Sequence, residues 1–212
     1  MPDIASILRE LAIFAIPLLM GITCHEVAHG YVAYLLGDPT AKNAGRLTLN
    51  PIKHLDPLGT LVLVVTRRIG WAKPVPINPA YFQNYRRDMF LVSAAGPAAN
   101  FLLGIGFYIF YLGIILSSTM FSPAAQQSIL TPLLYITQAG VLVNFILGIF
   151  NLIPVPPLDG SKILASVLPP DIAEQYMSIE RFGFFIILLL IFTGVLQKVL
   201  GNVVRFVFNV FF

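Results

Sequence analysis

Long apolar runs alternate with short polar connectors along this chain, and the runs are of membrane length. From Leu11 to Gly37 the only charged side chain is Glu26. A helix over that run, at ~1.5 Å per residue, exceeds the ~30 Å hydrocarbon core of a bilayer. Pro17 and Gly21 are expected to bend it, which a simple anchor would not require. Met89 to Leu158 contains no Asp, Glu, Lys or Arg at all. Two helices fit that stretch, over 89–116 and 129–152, joined by an uncharged loop around Ser117 to Ser128. A fourth run covers 182–200 and leads into a Phe/Val-rich tail carrying Arg205.

The segment 38–88 has a different texture, with turn signals at Gly37-Asp38-Pro39, Asn50-Pro51, Asp56-Pro57, Ile69-Gly70 and Asn78-Pro79. Within it, Thr60 to Thr66 is β-branched and follows a glycine, and Trp71 to Ile77 reads as a return strand interrupted by Pro74 and Pro76. Ten apolar residues are too few to cross a bilayer as a helix, so a strand pair or short re-entrant element is expected there. The pattern predicts an all-α polytopic membrane protein: one domain over 1–212, with spans near 11–36, 89–116, 129–152 and 182–200. A small β-strand or re-entrant element is expected on the cytoplasmic side.

Composition agrees with that pattern. The chain of 212 residues is 57% hydrophobic and only 11% charged, whereas soluble domains are about a quarter charged. The net charge of +3 is too small for a nucleic-acid footprint, so no nucleic-acid partner is expected. A single cysteine, Cys24, permits neither an internal disulfide nor a paired-cysteine zinc site. Asp3 and Glu10 flank Arg9, which is unlike a basic leader, so the first apolar run is expected to stay in the protein. Lys42, Arg46, Lys53, Arg67, Arg68, Lys73, Arg86 and Arg87 all lie in the 38–88 loop. That loop and the Lys162 to Arg181 connector are therefore expected in the cytoplasm, in a multi-pass protein of the cell membrane. Both termini then face outward.

The charge that interrupts the first span is part of a pattern. His25-Glu26-Val27-Ala28-His29 is an HExxH sequence, and residues four apart on a helix lie on one face, so both imidazoles can reach one metal ion. Glu26, about 100° round from His25, can lie beside the metal and bind a water there. With three histidines and ten acidic residues in the chain, the chance expectation of the pattern is about 0.002. An ionisable cluster within a membrane span is costly and marks function by default. The competing readings are helix-packing histidines and haem ligation, and an i, i+4 pair on one helix cannot supply opposite axial ligands.

Two histidines leave a tetrahedral catalytic site one protein ligand short. Asp159 is the leading candidate, because Asn151-Leu-Ile-Pro-Val-Pro-Pro-Leu-Asp159-Gly160 unwinds an apolar helix and delivers a carboxylate near membrane depth. The competing role for Asp159 is to cap the helix that starts at Ser161. His54 is a rival ligand from the loop, or a loop-stabilising histidine. Cys24 points about 100° away from His25 and reads as an inert thiol.

These motifs resemble the site-2 protease family of intramembrane zinc metalloproteases. HEVAH lies in a membrane helix, Gly96-Pro97-Ala98-Ala99-Asn100 near the start of the next, and Asn151-x-x-Pro154-x-Pro156-x-Leu158-Asp159-Gly160 after the third. Gly45-Arg46-Leu47-Thr48-Leu49-Asn50-Pro51 and Trp71-Ala-Lys-Pro-Val-Pro76 are similar to family segments too. The similarity is closest to the small branch without PDZ or CBS domains, for which the 38–88 loop has no room. The resemblance implies one Zn2+ per chain on His25, His29 and Asp159, with Glu26 as catalytic glutamate. It also implies a role for Asn100 near the reacting centre, as a donor to an oxyanion or as an interhelical hydrogen bond; Asn151 leaves the same choice open. The expected activity is that of a zinc endopeptidase acting on a membrane-embedded protein segment in the lipid bilayer. A metal transporter would be expected to show further ligands along a path, and 89–158 supplies no carboxylate or histidine. A non-catalytic metal-binding membrane protein would be expected to lose Glu26 or a ligand, and all are present.

Overall fold

The structure is a computed structural model that describes residues 3–66 and 70–212. Arg67, Arg68 and Ile69, which belong to the expected basic loop and its turn, lie outside the described residues. Helix α1 spans Ile4–Leu35 and runs on through Pro17. After the short α2 (Thr40–Asn43) and α3 (Pro57–Thr66) come the long α4 (Tyr85–Ser117), a single turn α5 (Pro123–Ala125) and α6 (Thr131–Asn151). Helices α7 (Asp159–Val167), α8 (Pro170–Met177), α9 (Gly183–Phe192) and α10 (Val195–Phe211) complete the chain. Among the described residues, four segments are long and apolar enough to cross a membrane: Leu11–Leu35, Tyr85–Met120, Pro123–Asn151 and Pro170–Phe192.

Helices α1, α4 and α6 pack on one another to form the bundle that carries the site, and α7 lies against α4. Lipid tails are as apolar as leucine, so close packing rather than exclusion from water holds membrane helices together. Small residues make that approach possible. Gly140 on α6 faces the Phe107 ring on α4 and Gly148 faces Phe101, each so close that a methyl group there would overlap the ring. Asn84 caps the start of α4 through its side chain, which accepts a hydrogen bond from the Arg87 amide. Arg86 on the first turn of α4 donates to the carbonyls of Ser166 and Leu168 at the end of α7. The 38–88 loop and the connector after α7 therefore share one end of the bundle, opposite the 117–128 loop.

Two expectations need correction. The strand expected over Thr60–Thr66 is helix α3, and among the described residues the extended Trp71–Ile77 segment makes only an isolated β-bridge, Leu55 to Ala72. Pro57 starts the helix without losing a needed donor, and the Asp56 carboxylate accepts from the Gly59 amide at 2.8 Å. β-branched residues favour strands only where a partner strand exists. A helix satisfies its own backbone, which matters more for an apolar segment beside a membrane. The run expected as one span over 182–200 is divided at Gly194, whose φ of 77° ends α9. The following α10 turns back onto the bundle, burying Val203 and Val207 against Val141 and Phe145 of α6.

Candidate metal centre

Helical geometry brings the two histidines together as the spacing requires. Their Nε2 atoms are 3.0 Å apart, and Asp159 Oδ2 lies 3.1 Å from the Nε2 of His25 and 3.2 Å from that of His29. All three side chains are buried. The chain reaches this position by doubling back after α6 through Pro154, Pro156 and Pro157. Gly160 then packs so tightly on the Leu152 carbonyl that a Cβ would sit 2.2 Å from its oxygen. Asp159 is the first residue of α7, but its carboxylate points at the histidines and not at the helix amides. The capping role that competed for it in the sequence is therefore not the one it plays.

Hydrogen bonds on the far side of each ring determine which nitrogen faces inward. His29 Nδ1 donates to the Val92 carbonyl at 2.7 Å, because a carbonyl only accepts. His25 Nδ1 lies 2.7 Å from Asn100 Oδ1 and donates to it. Both Nε2 atoms therefore present lone pairs to the shared space. Three acceptors facing one another at 3.0–3.2 Å repel unless a cation lies between them. Zinc fits this set: with ligand bonds of about 2.0–2.1 Å, the edge of its tetrahedron is about 3.3 Å.

The other expected residues are distributed as follows. Glu26 lines the same cavity, of about 170 Å³, together with Val75, Met89 and Lys162. Its Oε2 accepts a hydrogen bond from the Val75 amide at 2.7 Å, so the extended Trp71–Ile77 strap lies across the Glu26 face of α1. The strap is held by Arg46, which donates to the Lys73 carbonyl, and by Asp38, which accepts from the Asn78 amide, both at 2.7 Å. His54 does not join the metal group. It is fully buried, donates from Nε2 to the Thr48 carbonyl at 2.8 Å and stabilises the loop. Cys24 is also outside the group. Asn100 uses both amide hydrogens, on the Gly21 carbonyl at 3.0 Å and on Asn144 Oδ1 at 3.1 Å. That leaves it none for an oxyanion in this arrangement. Asn151 lines the cavity and donates to the Leu147 carbonyl of its own helix. The Val92 carbonyl and Asn144 were not singled out in the sequence, although an asparagine in an otherwise apolar helix is a visible signal; Gly96 entered there only as part of the Gly96–Asn100 motif.

Comparison with known proteins points to the same metal. Peptidase family M50 matches residues 113–192. The "Putative zinc metalloprotease" YwhC of Bacillus subtilis is 42% identical over 179 residues, 84% of this chain and 79% of that protein. The chain belongs to peptidase family M50. Rip2 of Mycolicibacterium smegmatis, which carries the same description, is 31% identical over 90% of this chain and 71% of its own length. No solved structure matches the chain. Zinc is thus the metal named for these M50 relatives and the metal that the two imidazoles and one carboxylate suit. The four apolar spans make the chain a multi-pass membrane protein.

Proposed function

We propose that the chain is an intramembrane zinc endopeptidase that cleaves a transmembrane or membrane-proximal segment of a protein substrate in the cell membrane. The observation that carries this reading is the group of three inward-facing acceptors with Glu26 beside it, set among apolar spans. His25, His29 and Asp159 would hold the zinc, which when bound would supply Lewis acidity toward a carbonyl and lower the pKa of a water toward ~7. Glu26 then acts as general base: its carboxylate takes the proton from the attacking water and passes it to the leaving amine nitrogen. The Val75 amide holds one carboxylate oxygen of Glu26, leaving the other to accept. Asn100 and the Val92 carbonyl keep the two imidazoles in the tautomer that binds metal.

A substrate helix screens its own peptide bonds through i to i−4 hydrogen bonding, so cleavage requires a segment that locally unwinds. The extended strap, and not the helical 60–66 segment, is the element positioned to border an unwound chain. The basic residues of the 38–88 loop and of the Lys162 to Arg181 connector support a cytoplasmic side for the strap end of the bundle. The test is reconstitution of the purified protein in lipid vesicles with a single-span reporter. Wild type should cleave it and lose that activity on chelation, and His25→Ala should neither bind zinc nor cleave. Failure of zinc-loaded wild type to cleave any of a panel of single-span reporters, or retention of zinc and activity by His25→Ala, would overturn the reading.

A further inference from the structure

Asn144 is fully buried in α6 and hydrogen-bonds to none of the three metal donors, yet it ends a chain of hydrogen bonds that leads to one of them. The direction of every bond in that chain is determined. The Gly140 carbonyl only accepts, so Asn144 turns its Nδ2 toward it at 2.9 Å and its Oδ1 toward α4. The Gly21 carbonyl also only accepts, so Asn100 turns its Nδ2 toward Gly21, and the second hydrogen of that group goes to Asn144 Oδ1. Asn100 Oδ1 is left facing His25, whose Nδ1 must then carry the hydrogen and whose Nε2 must keep its lone pair. The three helices have been brought close around this relay. A Cβ on Gly21 would sit 2.8 Å from Asn144 Oδ1.

We propose that Asn144 is a positioning residue of the metal site, acting through Asn100 on the tautomer and ring orientation of His25. The proposal rests on the reading of His25 as a zinc ligand. Two acceptors, Gly21 O and Asn144 Oδ1, resist rotation of the Asn100 amide. Without Asn144 only one resists it. A rotated Asn100 donates to His25 Nδ1 and moves the imidazole hydrogen to Nε2, the atom that must bind metal. A role in packing alone predicts no such link, because Asn144 makes no direct hydrogen bond to a metal donor.

Asn144→Leu keeps the branched shape of the side chain, at a larger volume, and removes the acceptor. Asn144→Asp, protonated in this apolar setting, can still accept from Asn100 through its carbonyl oxygen and donate to Gly140 through its hydroxyl. Zinc dissociation constants are measured by chelator competition on the full-length protein, with melting of the metal-free protein as the control for folding. The visible absorption of the Co2+-substituted protein reports the ligand geometry. Asn144→Leu should bind zinc about 10–100-fold more weakly and alter the Co2+ bands, and Asn144→Asp should restore both. If Asn144→Leu does not fold, Asn144→Ser, whose hydroxyl is too short to reach Asn100, carries the same expectation. Wild-type zinc affinity in the acceptor-free variant, or equal loss in Asn144→Asp, would overturn the proposal. His25→Ala separates the two levels: retention of zinc there removes the reading beneath, whereas loss there with a neutral Asn144→Leu removes only the relay.

Discussion

Gly96 on α4 offers the sharpest structural prediction, because the space its missing side chain leaves is the metal site itself. A methyl group there would lie 2.4 Å from His29 Nε2 and 2.6 Å from both His25 Cε1 and His29 Cε1, against an ordinary contact of 3.4–4 Å. The overlap is about 1 Å with each ring, and neither ring is free to retreat. His25 is held at Nδ1 by Asn100 and His29 by the Val92 carbonyl, both at 2.7 Å. Zinc sites tolerate about ±0.2 Å in ligand position, so two of the three donors would leave bonding range. Gly96→Ala should therefore weaken zinc binding by at least ~100-fold, or ~2.7 kcal/mol, in a protein that still folds. Chelator competition measures the affinity, and melting of the metal-free protein tests the fold. Gly106→Ala serves as control on the same helix, since a methyl there meets nothing within 4 Å. It should leave zinc binding unchanged and stabilise the helix by up to ~1 kcal/mol. Wild-type zinc affinity in Gly96→Ala would show that the two imidazoles do not converge on one metal.

Further outcomes follow from the same geometry. Asp159→Ala removes the only carboxylate of the donor group and should weaken zinc, whereas His54→Ala should leave it occupied. Zinc content by elemental analysis separates them, and the reverse result would reassign the ligand. His54→Ala should instead lower the melting temperature, since it deletes a buried bond to the Thr48 carbonyl worth roughly 0.5–1.5 kcal/mol. Cysteines at Lys53 and Gln126, in a Cys24→Ala background, should label from opposite sides of the membrane. Labelling of both from outside would contradict the four-span arrangement.

Much of the site was legible in the chain because its chemistry is local or compositional. Two histidines four apart need only a helix to converge, and a carboxylate after three prolines needs only a broken helix to reach them. The spans were legible because charge is almost excluded from bilayer-length runs. What escaped was set by partners distant in sequence. Thr60–Thr66 carries a strand-like run, but the Asp56 cap starts a helix, and among the described residues no neighbouring strand competes with it. His54 remained open as a ligand because nothing in its neighbours announces the Thr48 carbonyl that occupies it. The Val92 carbonyl that orients His29 is backbone, which no residue type betrays. Asn100 was visible as a polar residue in an apolar helix, but its hydrogen-bond roles depend on Gly21 and Asn144 from two other helices.

The central claim, that Glu26 performs proton transfer at a zinc site it does not itself ligate, is tested most directly by Glu26→Gln. The substitution preserves the size of the side chain and removes its capacity to take a proton from water. Zinc content and cleavage of a membrane-spanning reporter are measured on the same vesicle preparation. The account predicts zinc close to wild type and a rate lower by roughly 10²–10⁴. Cleavage at an undiminished rate by zinc-loaded Glu26→Gln protein would contradict it.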